Sequence, residues 1–155
     1  MIIGIWGEDN ARGYQYENRL PWTLRKYQEF IRRLLKDQVL ISDYHTFLGL
    51  DLQPTFFKKV YLVGAPREFI NMYANVSELQ SYSYVKNIRK DTYVLCSLGC
   101  MIKLIPYIST IIRLHVNGQY LATSTAEPLD TYLQAFDPVE EEDFIDFKAY
   151  IYQRR

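Results

Sequence analysis

Five short, largely apolar runs at residues 2–6, 39–42, 59–63, 93–96 and 111–116 constrain this chain's fold more than any other feature. A strand with one face in water alternates apolar with polar residues. These runs are nearly continuous in Val, Ile, Leu and aromatics, as expected of strands buried on both faces of a mostly parallel sheet. Longer amphipathic segments separate them, and their periodicity predicts helices over 24–36, 76–90 and 99–107. Strand followed by helix, repeated, predicts an α/β fold with a central sheet between helical layers. The final stretch breaks the pattern: a strand at 132–136, an acidic loop tip through Glu140-Glu141-Glu142-Asp143, and a returning strand at 144–152. That order predicts a C-terminal antiparallel hairpin. No Pro/Ser-rich linker and no repeat divides the chain, so residues 1–155 are expected to form a single domain.

Bulk properties exclude several classes of function. Lys plus Arg and Asp plus Glu both total 18, which leaves no global electrostatic attraction to a nucleic acid or an anionic membrane. The apolar opening has no basic segment before it and meets Glu8 and Asp9 at once, unlike a signal peptide. No apolar run approaches the roughly 18 residues that span a bilayer. Two cysteines, Cys96 and Cys100, suit a reducing compartment better than a disulfide framework, so a cytoplasmic protein is expected. Two thiols with no further ligand at metal-binding spacing fall short of a zinc set, and no metal is expected.

The helix from Leu24 carries an apolar stripe of Leu24, Tyr27, Gln28, Ile31, Leu34 and Leu35, at spacings of three and four. Arg25, Lys26, Glu29, Arg32, Arg33 and Lys36 occupy the other face. That basic face reads as solvated, or as a surface for an acidic partner or an assembly. Just before this helix stands Glu17-Asn18-Arg19-Leu20-Pro21-Trp22, and earlier still the opening run Ile2-Ile3-Gly4-Ile5-Trp6-Gly7. In order and spacing the whole arrangement resembles the dihydrofolate reductase family, where the loop ending in Pro-Trp closes over the nicotinamide of NADPH.

The resemblance implies that family's three-layer fold, with a substrate cleft at Ile5, Leu20, Tyr27, Gln28, Ile31, Leu50, Phe57 and Leu114. It places the catalytic positions at Tyr27 and Trp22, and the cofactor positions at His45, Thr46, Ser97 and Gly99. Most of the family's chemical groups are nevertheless replaced. The family acid that serves the pterin is Tyr27 here, and the nearest carboxylate, Glu29, lies about 200° around the helix. A tyrosine, with an ordinary pKa near 10, is a poor proton donor at neutral pH, so Tyr27 reads as a filler of the cleft or as a substitute acid. The glycine of the phosphate-binding turn is Asp43 and its cationic neighbour is Tyr44, whereas His45 and Thr46 remain. The arginine that holds the substrate's carboxylate is Phe57, with Lys58 next to it facing the other way. The glycine pair that lets a backbone approach the cofactor is Cys96-Ser97. Leu114 stands in for the threonine beside the acid, and His115 reads as a structural residue.

With both the substrate and the cofactor halves altered, the expectation is a catalytically inactive dihydrofolate-reductase-like protein acting as a binding or regulatory module. No cofactor is expected to bind tightly, and the partner is an unknown protein or small molecule, not a membrane and not a nucleic acid. The alternative is an NADPH-dependent reductase of dihydrofolate or a related small molecule, with a remodelled site.

Overall fold

A computed structural model describes all residues 1–155. In chain order the elements are β1 (Ile2–Glu8), β2 (Gly13–Gln15), α1 (Arg25–Leu35), β3 (Val39–Asp43), α2 (Tyr44–Gly49), β4 (Lys59–Val63), α3 (Arg67–Met72) and β5 (Val76–Glu78). They continue with β6 (Thr92–Val94), α4 (Leu98–Leu104), β7 (Thr110–Val116), β8 (Ser124–Thr125), α5 (Asp130–Leu133), β9 (Phe136–Asp143) and β10 (Phe147–Arg154). Eight strands form one sheet in the order β5-β4-β3-β6-β1-β7-β10-β9. Every pairing from β5 to β7 is parallel, and β10 joins β7 and β9 antiparallel. This is the α/β, mostly parallel sheet with a C-terminal antiparallel hairpin that the apolar runs predict.

The continuity of β1 has a simple cause. It lies mid-sheet between β6 and β7, and all seven of its residues are buried. Its alternate side chains serve two cores. Ile3 and Ile5 pack under α1 with Tyr27, Ile31 and Leu35, while Ile2 and Trp6 pack under α4 with Met101 and Leu104. No helix is long and apolar enough to cross a membrane.

Two predicted elements are placed differently. The helix expected over 76–90 is instead the short strand β5, paired to β4 through Val76 and Val60, followed by a 3₁₀ turn at Tyr82–Asn87. Ser81, Tyr82, Ser83 and Tyr84 are weak helix formers, and Asn75 fixes the entry by donating to the Pro54 and Phe57 carbonyls at 2.8 and 3.1 Å. The acidic run, expected as a loop tip, is the body of β9, and residues 144–146 make the turn. Backbone pairing with β10 tolerates these side chains because β9 is the sheet edge, where charge guards against further strand addition. Tyr132, expected to open that strand, lies in α5.

Candidate functional site

The site lies at the carboxyl ends of β1, β3 and β6, where open parallel sheets characteristically hold ligands. One half is a cleft of about 500 Å³ beside α1, walled by Leu20, Trp22, Gln28, Ile31, Leu50 and Leu52. Arg19 and Arg25 line it too, paired to Asp51 at 3.3 Å and to Glu29 at 3.0 Å. Arg32 is the cleft's one cation without a carboxylate partner. Of the sequence-predicted cleft residues, Leu20, Gln28, Ile31 and Leu50 do line this opening. Ile5, Tyr27, Phe57 and Leu114 instead lie buried in the core beneath it. Phe57 is wedged against Phe56 and Phe47, with ring centroids 5.3 and 5.9 Å away.

Tyr27 points inward, as the helix stripe predicts, and only 1% of it is exposed. Its ring meets Trp22 edge-on at 5.4 Å and Phe147 at 5.3 Å. Burial pushes its phenol above the ordinary tyrosine range. Glu29 points outward, toward Arg25 and Lys26. The Trp22 Nε1–H is buried and finds no acceptor.

The other half is filled by the chain's own groups. One Asp43 carboxylate oxygen accepts the Ser97 backbone N–H at 2.7 Å. The second accepts the Thr46 backbone N–H at 3.2 Å and the Thr46 hydroxyl at 3.0 Å. A single side chain thus satisfies the first turn of α2 and the β6–α4 turn together. Thr46 also receives Gln15 Nε2 at 3.0 Å. Of the four cofactor positions, Thr46 and Ser97 therefore converge on Asp43. His45 is exposed against the Tyr44 ring at 5.4 Å, and Gly99 faces solvent on α4.

Residues 9–15 are tied down over this region. Tyr14 is 3% exposed, and its hydroxyl donates to the Cys96 carbonyl at 2.7 Å. Its ring packs in the core that holds Trp6, Val94 and Cys100. Asp9, fully buried, accepts the backbone N–H groups of Ala11, Gly13 and Tyr120 at 2.9, 2.8 and 2.7 Å. Arg12 grips Asp130 through its two terminal guanidinium nitrogens, at 3.2 and 2.6 Å. Beneath the loop, fully buried Glu8 receives Trp6 Nε1 at 3.1 Å and Arg113 at 2.6 Å. Burial is the largest single influence on the Arg113 guanidinium and lowers its pKa, but the bond to Glu8, the Glu8 charge and Tyr152 together hold it above its usual value.

Sequence reasoning missed Tyr14, Asp9, the Glu8–Arg113 pair and the acceptor role of Asp43. The one visible signal was a pair of acids placed directly after a buried strand, which need partners once folded. The fold also adds a third group to the two thiols: Asp43, Cys96 and Cys100 have ligand atoms within 4.8 Å of one another. Both Asp43 oxygens already hold donors, and burial first, then Cys100 and Asp43, raises the Cys96 thiol well above its usual range. That chemistry suits inert thiols rather than metal ligands.

No family model matches the chain. It is 35% identical to the dihydrofolate reductase of Lactococcus lactis subsp. lactis (strain IL1403) over 51 residues, which is 33% of this chain and only 30% of that enzyme. The solved dihydrofolate reductase of Enterococcus faecalis, complexed with NADP(H) and RAB-propyl, superimposes with a TM-score of 0.80 at 16% identity. That superposition covers 99% of this chain and 96% of the other, so this protein is dihydrofolate-reductase-like in its fold from end to end.

Proposed function

We propose that this chain is a dihydrofolate-reductase-like binding module that does not turn over: its ligand cleft is kept, and its cofactor half is closed by its own side chains. The observation that carries the reading is Asp43, whose carboxylate holds the Ser97 and Thr46 N–H groups at 2.7 and 3.2 Å. A cofactor pyrophosphate arriving at that turn would find its donors taken and a like charge in their place. Tyr14, fastened to Cys96, adds an aromatic ring beside them. Tyr27 supports the same reading, because a phenol whose pKa burial has raised is a weak general acid at neutral pH.

The retained cleft suits a small, flat, largely apolar molecule bearing an anionic group for Arg32. The chain's two free thiols, Cys96 and Cys100, fit a reducing, cytoplasmic setting. The second reading, an NADPH-dependent reductase with a remodelled site, is favoured by the NADP(H) complex of the Enterococcus faecalis neighbour.

The test is an NADPH titration followed by tryptophan fluorescence, together with NADPH oxidation in the presence of dihydrofolate. NADPH is expected to bind at least ~100-fold more weakly than to an active dihydrofolate reductase, from two or three charge-assisted hydrogen bonds lost at about 1.5–3 kcal/mol each. Asp43→Gly is expected to tighten binding by freeing the donors. Substantial turnover by the unmodified protein would establish the reductase reading instead.

A further inference from the structure

The basic face of α1 and the acidic edge strand β9 flank a common groove that the cleft does not use. The groove is floored by Phe30 and Phe144 and measures about 490 Å³. Phe30 and Phe144 meet edge-on at 5.3 Å, and Phe144 stacks on Phe147 at 4.4 Å. Ile145 stands 82% exposed at its rim. On one bank, Arg33 has no carboxylate partner, and Lys26 reaches only Glu29 at 3.5 Å. The acids that line the groove itself, Glu29 and Asp143, already hold cations, and beyond Asp143 along β9 come Glu142 and Glu140, paired across the ladder with Ala149 and Ile151. Ala149 and Ile151 pack on the α1 side of the sheet, so these two glutamates share that side. Lys148, on the opposite face, engages Glu141 and Asp143 and leaves Glu140 and Glu142 without a cation.

We propose that this face is the interface of a symmetric homodimer, in which Arg33 and Lys26 of each copy lie against Glu142 and Glu140 of the other across a shared apolar centre. The pattern is self-complementary. Cations, apolar groove and acids run in that order, so a two-fold axis through the groove sets each bank against its opposite. Charge therefore selects a second copy of this chain over a wholly acidic or wholly basic partner, either of which would meet one bank with repulsion. The groove and the Arg32 cleft share only Glu29, and Arg33, Glu142 and Ile145 line no part of the cleft, so the inference stands whether or not the proposed function does.

Sedimentation velocity over about 1–200 µM brackets a micromolar association. The expected result is a monomer–dimer equilibrium that shifts toward monomer as salt rises. Ile145→Asp, at a side chain too exposed to affect folding, should weaken the dimer at least about tenfold. Arg33→Glu and Glu142→Arg should each be monomeric alone and should dimerise with one another when mixed, because both copies of the contact are then restored. A wild-type monomer throughout, or a dimer indifferent to Ile145→Asp and to both charge reversals, would overturn the proposal. So would a monomer whose groove is filled only by an added acidic protein.

Discussion

Tyr27 and Gly7 occupy one space between them. A Cβ built on Gly7 would lie 2.7 Å from Trp22 Cζ2, and the Tyr27 hydroxyl would crowd it more severely still. A side chain at position 7 and a phenol at position 27 therefore exclude one another. Gly7→Ala is expected to lower stability by about 1–3 kcal/mol. Tyr27→Phe, by removing the hydroxyl, should recover part of that loss. Urea denaturation of the two single variants and the double variant measures this; effects that simply add would show the two positions to be independent. Tyr27→Asp should cost more than about 2 kcal/mol, because the new carboxylate would enter an apolar core without a partner. It should restore no dihydrofolate reduction, since Phe57, Cys96 and Ser97 stay as they are; NADPH oxidation checks that directly. The inward direction of Tyr27 was legible from the spacing of its helix. Its dependence on Gly7 was not, because that contact joins residues from different elements.

At the scale of elements, single carboxylates hold together segments that the chain keeps far apart. Asp43→Ala would leave the Ser97 N–H and the Thr46 N–H without their acceptor in a partly buried place. A loss of about 1–3 kcal/mol is expected, with faster amide exchange at those two residues than elsewhere in α2 and α4. Asp130 gives the pH dependence. Its bond to Arg12 holds its carboxyl below the usual range, so the folded protein gives up this proton more readily than the unfolded chain. The resulting stability is fully present above the unfolded carboxylate value, about 3.9, and disappears as the pH falls through the lower folded value. Because Asp130 is 48% exposed, solvent screening limits the contribution to about 1 kcal/mol or less. Asp130→Asn should therefore be destabilised by up to that amount at neutral pH, and the difference should close in strong acid. The elements themselves were legible where burial on both faces left one choice, as in β1 and β3. They were illegible where an edge position relaxed the rule, as in β9, whose acids look like a loop tip until β10 is seen beside them.

Across the whole molecule, the mostly parallel character of the sheet was readable from the apolar runs, but the anchoring of residues 9–15 was not. That anchoring depends on contacts such as Arg12 to Asp130, which lie 118 positions apart. The central place of β1 has a consequence for how the chain reaches this state. Ile2 pairs with Thr92, and Ile3 with Thr110 on the other side, so the strand has no neighbour until much of the chain exists. At synthesis rates of about 5–20 residues per second, this fully buried strand stays uncovered for roughly 5–20 s on the ribosome. By contrast, β3 with β4, and β9 with β10, close over much shorter loops. Pulse-labelled refolding should accordingly protect the amides of those two pairs first and those of Ile3 and Ile5 last. Ile2, Ile3, Ile5 and Trp6 are, for that interval, the segment with the most surface to offer a chaperone.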